Sequence, residues 1–208
     1  KSFDKENHNI VAFSRSAKSA DFPDGVEVFQ GDLCEPDTSD GLCEDIDVAY
    51  YFIHSLTSKD FMEKDKRLAK RFRQIASDSD VDRVVYLSGI SGSKNDNLSP
   101  HLKSRRDVEE ILFEGEYDTT VLRAAVIIGK QSASFRMIDD VTDRLPIMIV
   151  PKWVRTPSNP IWIDDVVEYL IKVLEYKETR NNAYDIGCKE EWSYKRLIEE
   201  TANIKNKK

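Results

Sequence analysis

The stretch that decides the fold, residues 81–112, reads Val-Asp-Arg-Val-Val-Tyr-Leu-Ser-Gly-Ile-Ser-Gly, then a polar loop, then Ser-Pro-His-Leu-Lys-Ser-Arg-Arg-Asp-Val-Glu-Glu-Ile-Leu. Its first half holds a short apolar run that stops at Ser88 and Gly89, which is typical of a buried strand ending at a turn. In its second half Ser99 can cap a helix, and Pro100 suits the first helical position, where a missing N–H costs nothing. The stretch therefore predicts a buried strand followed by a helix.

The same alternation extends over the rest of the chain. Strands are predicted at residues 9–14, 26–30, 48–53, 119–128 and 183–186. Helices are predicted at residues 37–46, 60–77, 135–144, 164–174 and 193–202. Because strands that alternate with helices imply crossover units, we predict an α/β fold with a doubly wound, mainly parallel, Rossmann-like sheet in one domain, residues 1–208.

The glycine-rich loop that opens a dinucleotide-binding fold is missing from this pattern. None of the eight glycines lies in a Gly-x-Gly-x-x-Gly run ahead of a helix. Residues 1–8 read as the tail of a helix that enters the strand at Asn9. We therefore expect the first strand and its loop, roughly 20 residues, to lie upstream in a parent protein, and residues 1–208 alone to bind dinucleotide weakly. The alternative is that the protein never had the loop.

Composition restricts the classes of partner and compartment. The net charge of −7 over 208 residues gives no basic surface for a nucleic acid. No apolar run reaches the roughly 18 residues that a membrane span needs. The three cysteines share no ligand spacing, so we expect reduced thiols in a cytoplasmic protein and no metal site.

A candidate site follows from the opening stretch. Ligands of open α/β sheets bind beyond the carboxyl ends of the strands, which is where Ser88 is predicted. His101 and Arg105 are four residues apart and therefore share one face of the next helix. Ser88, His101 and Arg105 are the candidate catalytic residues.

Six segments, taken in order, carry a family resemblance: Val-Phe-Gln-Gly-Asp-Leu (28–33), Asp-Val-Ala-Tyr-Tyr-Phe-Ile-His-Ser (47–55), Arg-Val-Val-Tyr-Leu-Ser-Gly (83–89), Ser-Pro-His-Leu-Lys-Ser-Arg (99–105), Val-Leu-Arg-Ala-Ala-Val-Ile-Ile-Gly (121–129) and Pro-Ile-Trp-Ile-Asp-Asp-Val (160–166). Together they resemble the short-chain dehydrogenase/reductase superfamily, and within it the atypical, NmrA-like and epimerase-like branch. The resemblance implies NAD(P) binding and an oxidoreductase or epimerase-like activity on a small carbonyl compound.

The resemblance also implies positions for the cofactor and the substrate. The cofactor residues would be Asp32 and Leu33 at the adenine, Phe52, Ile53 and His54 at the ribose and pyrophosphate, and Ala124, Ala125 and Val126 near the nicotinamide. Residues 129–163 and 188–208 would form a cap on the substrate side, with Trp153, Arg155 and Trp162 in the pocket. On the residues alone, Asp32 is equally a turn residue, and His54 is more readily interpreted as a hydrogen-bonded loop histidine.

The superfamily's Tyr-x-x-x-Lys pair is absent, and this leaves the activity open. His101 stands at the tyrosine's spacing from Ser88, and Arg105 stands at the lysine position. Histidine can donate a proton near neutral pH, a serine hydroxyl can stabilise a developing oxyanion, and an arginine can hold ribose hydroxyls without transferring protons. The alternative is a non-catalytic dinucleotide-binding module that senses redox state or docks a partner.

Two further predictions concern the cofactor and oligomerisation. NAD-selective folds place an acid after the second strand, whereas here Ser14 and Arg15 occupy that place, so we predict NADP with Arg15 on its 2′-phosphate. The helix at residues 60–77 has an apolar stripe and a basic face. This pattern is typical of a helix that flanks a sheet, and a homodimer through the same helix is the second interpretation.

Overall fold

The computed structural model describes residues 8–15, 22–55, 60–90, 98–130, 132–144 and 152–206. Its strands are β1 (Ile10–Ser14), β2 (Val26–Gln30), β3 (Val48–Tyr51), β4 (Arg83–Gly89), β5 (Asp118–Ala124), β6 (Ile127–Ile128), β7 (Pro157–Ser158), β8 (Ile161–Trp162), β9 (Asn182–Ile186) and β10 (Trp192–Ser193). Its α-helices are α1 (Phe61–Asp78), α2 (Pro100–Phe113), α3 (Ala133–Arg144), α4 (Ile163–Lys172) and α5 (Tyr194–Ile204). The predicted helix tail before Asn9 lies almost wholly outside the described residues.

The main sheet is parallel and has the order β3-β4-β5-β9. A separate parallel pair joins β1 to β2, and another joins β6 to β8. Among the described residues, the antiparallel pair is β7 with β10. This arrangement confirms the predicted α/β fold with a mainly parallel, Rossmann-like sheet.

The β1–β2 pair is separate from the main sheet because β1 and β3 do not pair with each other. Within the described ranges β1 pairs only with β2, and β3 pairs only with β4. The order 3-2-1-4-5-6 numbers the strands of a complete doubly wound sheet, which differs from the numbering used for β1 to β10. In such a sheet the first strand lies between the group that corresponds to β1 and β2 and the group that begins at β3. No strand of the described ranges occupies that position.

Residues alternate between the two faces of β4, and the helices cover both. Val84 and Tyr86 pack against α1 and α2 in the largest core cluster. Val85 and Leu87 pack in a second cluster with Val166 of α4. Since alternate residues of a strand face the same side, Ser88 lies on the α2 face together with Tyr86.

Serine caps fix the start of two helices as the sequence predicts. The Ser99 hydroxyl accepts a hydrogen bond from the backbone N–H of Leu102 at 3.4 Å. The Ser193 hydroxyl accepts one from the N–H of Arg196 at 3.2 Å. Each satisfies a backbone donor that an uncapped first turn would leave without a partner.

Three predicted elements differ in the structure. The helix predicted at residues 37–46 is wrong, because a short 3-10 helix covers only Pro36–Thr38 and Gly41 and Asp45 have positive φ angles of 75° and 57°, which an α-helix does not tolerate. The third strand ends at Tyr51 instead of residue 53. The strand predicted at residues 119–128 is interrupted, because Val126 turns its carbonyl to the N–H of Ile161, 2.9 Å away.

The outward face of α1 is polar. Glu63, Arg67 and Lys70 are exposed, whereas the apolar stripe of the helix is buried. A homodimer through residues 60–77 stays a prediction, and this face would have to form it through ion pairs. In the described ranges no helix has the length and apolar character to cross a membrane.

Candidate functional site

The predicted cofactor and catalytic residues stand at the carboxyl ends of parallel strands. In the main sheet, Phe52–His54 follow β3, Ser88 is the second-last residue of β4, and Ala125 follows β5. In the β1–β2 pair, Arg15 follows β1 and Asp32 follows β2. Carboxyl ends are where open α/β sheets bind ligands, so the strands bring these residues to positions suited to a nucleotide.

Arg15 and Asp32 lie beside each other at the ends of β1 and β2. The Arg15 Nη1 and Asp32 Oδ2 atoms are 4.0 Å apart, and the Arg15 side chain is 68% exposed. Asp32 Oδ1 accepts the N–H of Cys34 at 2.9 Å, so this residue also shapes the turn. Leu33 is only 4% exposed within the core, which leaves its backbone as the part that can contact a ligand.

An exposed aromatic surface follows β3. The Phe52 ring is 50% exposed and stacks on Tyr50, with centroids 5.9 Å apart and planes 23° apart. Tyr50 is held in turn, since its hydroxyl donates to the Leu170 carbonyl at 2.8 Å, and burial raises its pKa to about 12. His54 is exposed, with Nδ1 3.2 Å from the Phe52 carbonyl oxygen, and Ile53 packs against the core. A flat ring of this kind offers a stacking surface to a nucleotide.

Ser88 carries a buried hydroxyl without a partner. The residue is 7% exposed, and its Oγ makes no hydrogen bond of normal geometry within the described part of the chain. A buried polar group left unpaired costs about 1–3 kcal/mol, so such a group points to a partner that the protein alone does not supply.

Tyr86 connects Ser88 to Arg105. The Arg105 guanidinium donates from Nη1 to the Tyr86 hydroxyl over 3.5 Å, and Tyr86 precedes Ser88 on the same face of β4. Burial raises the pKa of Tyr86, while the Arg105 charge and the neighbouring Ser88 hydroxyl oppose that rise. Two of the three predicted catalytic residues, Ser88 and Arg105, are therefore on one side of the sheet and linked through a residue that the sequence reasoning passed over.

His101 makes its ring contact elsewhere. It is exposed in the first turn of α2 and stacks on Phe61 at the start of α1, with centroids 4.7 Å apart. His101 is thus on a helix at the predicted spacing from Ser88, but the described contacts of His101 do not include Ser88.

An ion-pair cluster beside Ser88 was also missed. Arg123 is the register partner of Ser88 on β5, and its Nε donates to Glu109 Oε2 at 3.0 Å. Asp185 of β9 lies in register with Arg123, and 3.6 Å separates its Oδ1 from Arg123 Nη1. The hydrogen bond to Glu109 is the main cause of a raised Arg123 pKa. An arginine inside the apolar run of residues 121–128 was the available signal.

The end of β5 provides small and apolar residues. Ala124 is buried, and its carbonyl accepts the N–H of Ile90 at 3.1 Å. Val126 is buried in a third core cluster, and Ala125 between them is half-buried.

A cleft of about 540 Å³ is lined by residues of β6, β8, α4 and α5 and by the residues that follow β9. Trp162, Tyr169 and Trp192 supply aromatic rings to its lining, which Gly187 and Cys188 complete after β9. The Trp162 indole Nε1 donates to Asp164 at 3.0 Å. Arg155 is exposed and is not among the lining residues, and the Trp153 side chain lies outside the described residues.

Comparisons with known proteins identify the family and the fold. A family model described as NAD(P)H-binding matches residues 2–145. No curated protein sequence matches the chain.

Solved structures share the fold at low sequence identity. MoeE5 in complex with UDP-glucose and NAD has a TM-score of 0.77 and 17% identity, over 97% of this chain and 75% of that one. UDP-glucose 4-epimerase from Thermotoga maritima, with UDP-glucose, has a TM-score of 0.78 and 12% identity, over 98% and 76%. UDP-glucuronic acid 4-epimerase from Bacillus cereus, with NAD, has a TM-score of 0.76 and 18% identity, over 98% and 78%.

Proposed function

Because the chain belongs to the NAD(P)H-binding family, we propose that it binds NADP(H) along the carboxyl ends of its parallel strands and acts as an oxidoreductase or epimerase-like enzyme on a small carbonyl compound. The observation that carries this proposal is the buried Ser88 hydroxyl, which makes no hydrogen bond of normal geometry in the described part of the chain and lies beside the Tyr86 hydroxyl and its contact with Arg105. A developing oxyanion or a substrate hydroxyl would satisfy it.

Each part of the cofactor would have its own residues. Arg15 and Asp32 would hold the adenosine end, the Phe52 ring and His54 the central part, and Arg105 the ribose next to the nicotinamide. The nicotinamide supplies hydride transfer when it is bound. The chain's own task is to orient that ring near Ala125 and to stabilise charge at Ser88.

Arg15 supports NADP over NAD. A guanidinium can bind a 2′-phosphate through two parallel charge-assisted hydrogen bonds, and this one is exposed at the end of β1. The 4.0 Å approach to Asp32 is long, so the carboxylate competes only weakly for the guanidinium. The related structures carry NAD, which makes the comparison of both cofactors a necessary part of the test.

The cleft at Trp162 would hold the part of the substrate that lies away from the reacting carbonyl, because its lining contains neither Ser88 nor Arg105. Its aromatic lining suits a ring, and residues 129–163 and 188–208, proposed as the cap, contribute Ile161, Trp192 and Leu197 to the same lining. UDP-glucose, named with two of the related structures, belongs in a substrate panel for this reason.

Turnover by the natural full-length protein tests the proposal. NADPH oxidation would be followed with a panel of small aldehydes and ketones, and NADP+ reduction or sugar interconversion with UDP-glucose and UDP-glucuronic acid. We expect turnover with one class, reduced about 10²-fold or more in Ser88→Ala. Ser79→Ala, a half-buried serine after α1, is the matched control.

The second candidate function is a non-catalytic module that binds the dinucleotide to sense redox state or dock a partner. The stacking of His101 on Phe61 favours it, since the residue at the tyrosine's spacing is then a packing residue. Saturable NADPH binding without turnover in either direction would select this candidate and reject the enzyme.

A further inference from the structure

We propose that Tyr86 positions Arg105 for the dinucleotide, so that the phenol hydroxyl of a core strand sets the geometry of the site. This inference rests on the proposed NADP(H) binding and assigns a role to a residue outside the ligand contacts. Tyr86 is a positioning residue here, because it is 0% exposed and reaches a ligand only through Arg105.

The contacts of Arg105 support this role. Within the described part of the chain, the Tyr86 hydroxyl is the hydrogen-bond partner of the Arg105 guanidinium, at 3.5 Å. A guanidinium has five N–H donors in a rigid fork, so one contact fixes its direction and leaves the others for ligand hydroxyls. An arginine fixed in advance loses less side-chain entropy when a ligand binds.

The choice of tyrosine supports the same conclusion. Position 86 lies between apolar neighbours in the sheet, since Val84 is in the same cluster and Val121 is its register partner. A phenylalanine would fill the same space, and the tyrosine adds a buried hydroxyl for which a polar partner is favourable. The charge of Arg105 provides that partner and opposes the rise in the Tyr86 pKa that burial causes.

Tyr51 offers a comparison within the same core. Its ring lies edge-on to Tyr86 with centroids 5.9 Å apart, and it is 1% exposed. Its hydroxyl is buried and has no hydrogen-bond partner in the described part of the chain. The two tyrosines therefore lie in register on neighbouring strands and share size and burial. They differ in the hydrogen bond from Arg105, which the Tyr86 hydroxyl accepts.

The test uses two probes on the natural full-length protein. NADPH occupies the whole proposed site, whereas adenosine 2′,5′-bisphosphate occupies only the adenosine end near Arg15. We expect Tyr86→Phe to weaken NADPH binding about five- to tenfold, the size of one ordinary hydrogen bond, and to leave the bisphosphate affinity unchanged. Tyr51→Phe should change neither affinity.

Each outcome decides the inference. Equal weakening of both probes by Tyr86→Phe would indicate a structural role and overturn it, and so would no weakening of either probe. Wild-type protein that binds neither NADPH nor NADH would instead reject the proposed function on which it rests. If Tyr86→Phe does not fold, Arg105→Gln takes its place, with Arg106→Gln as the control. Arg105→Gln must then lose NADPH affinity selectively while Arg106→Gln keeps the wild-type affinity. Any other result for Arg105→Gln overturns the inference.

Discussion

His101 stacks on Phe61, with ring centroids 4.7 Å apart and ring planes inclined by 25°. The contact joins the first turn of α2 to the first residue of α1, and it therefore helps to fix how the two helices start side by side. An imidazole in this place has two separable properties, a flat ring that packs and a nitrogen that exchanges protons.

Replacing His101 by phenylalanine separates these properties. His101→Phe keeps a ring against Phe61, so the melting temperature and the NADPH affinity should stay at the wild-type values. If His101 serves as a general acid, turnover should fall by about 10² or more. Thermal melting, NADPH titration and turnover measure the three quantities, with Phe61→Leu as a control that removes the stack. Loss of NADPH binding in His101→Phe would contradict this separation.

Thr120 holds a buried arginine at the amino end of the sheet. The Arg83 side chain is 1% exposed and donates to Thr120 Oγ1 from Nε at 3.2 Å and from Nη2 at 2.6 Å. Thr120→Val keeps the shape of the side chain but leaves a buried guanidinium short of acceptors. We expect a loss of about 2–4 kcal/mol in the free energy of unfolding, measured in urea. The exposed Thr156→Val should lie within about 0.5 kcal/mol of wild type, and an equal effect of both variants would reject the assignment.

Arg180 joins the starts of β4 and β5 through two carboxylates. Its Nη2 lies 2.8 Å from Asp82 Oδ2, its Nη1 lies 2.5 Å from Asp118 Oδ2, and the Asp118 pKa is lowered chiefly by this hydrogen bond. A carboxyl whose pKa is lower in the folded state stabilises the protein above its ordinary pKa near 4, and this contribution is lost as the pH falls through the folded value. Arg180→Ala should therefore cost about 1 kcal/mol at pH 7 and progressively less in acid.

Urea unfolding of wild type and Arg180→Ala at several pH values between 7 and 3 checks this dependence. The surface variant Lys195→Ala removes an exposed 3.3 Å ion pair with Glu199 and serves as the control. A stability difference between wild type and Arg180→Ala that stays constant down to pH 3 would show that the ion pair is not its source.

The sequence predicted the parts of the fold that follow from local periodicity. Apolar runs gave β4 and β9, and the caps at Ser99 and Ser193 gave the starts of α2 and α5. The helix expected at residues 37–46 failed because positive φ angles at Gly41 and Asp45 depend on the local turn and not on the pattern of apolar residues. The break after Ala124 depends on pairing with Ile161, which is distant in the chain and therefore absent from any local pattern.

The same limit applies to the candidate site. Spacing placed Ser88 at the end of a strand and Arg105 on the helix beside it, and both positions hold. The spacing of residues did not predict the contact between Tyr86 and Arg105. The direction of a strand side chain and the reach of an arginine depend on packing. It also did not give the Phe61 stack, since that depends on how α1 and α2 lie against each other.

Equilibrium binding of NADPH and NADH to the natural full-length protein, with Arg15→Ala and Arg196→Ala beside it, tests the central claim most directly. The account predicts saturable binding of NADPH that is tighter than binding of NADH. It also predicts that Arg15→Ala removes most of this difference, by about tenfold or more, while Arg196→Ala retains it. Binding of neither dinucleotide, or equal affinities that Arg15→Ala leaves unchanged, would contradict the account.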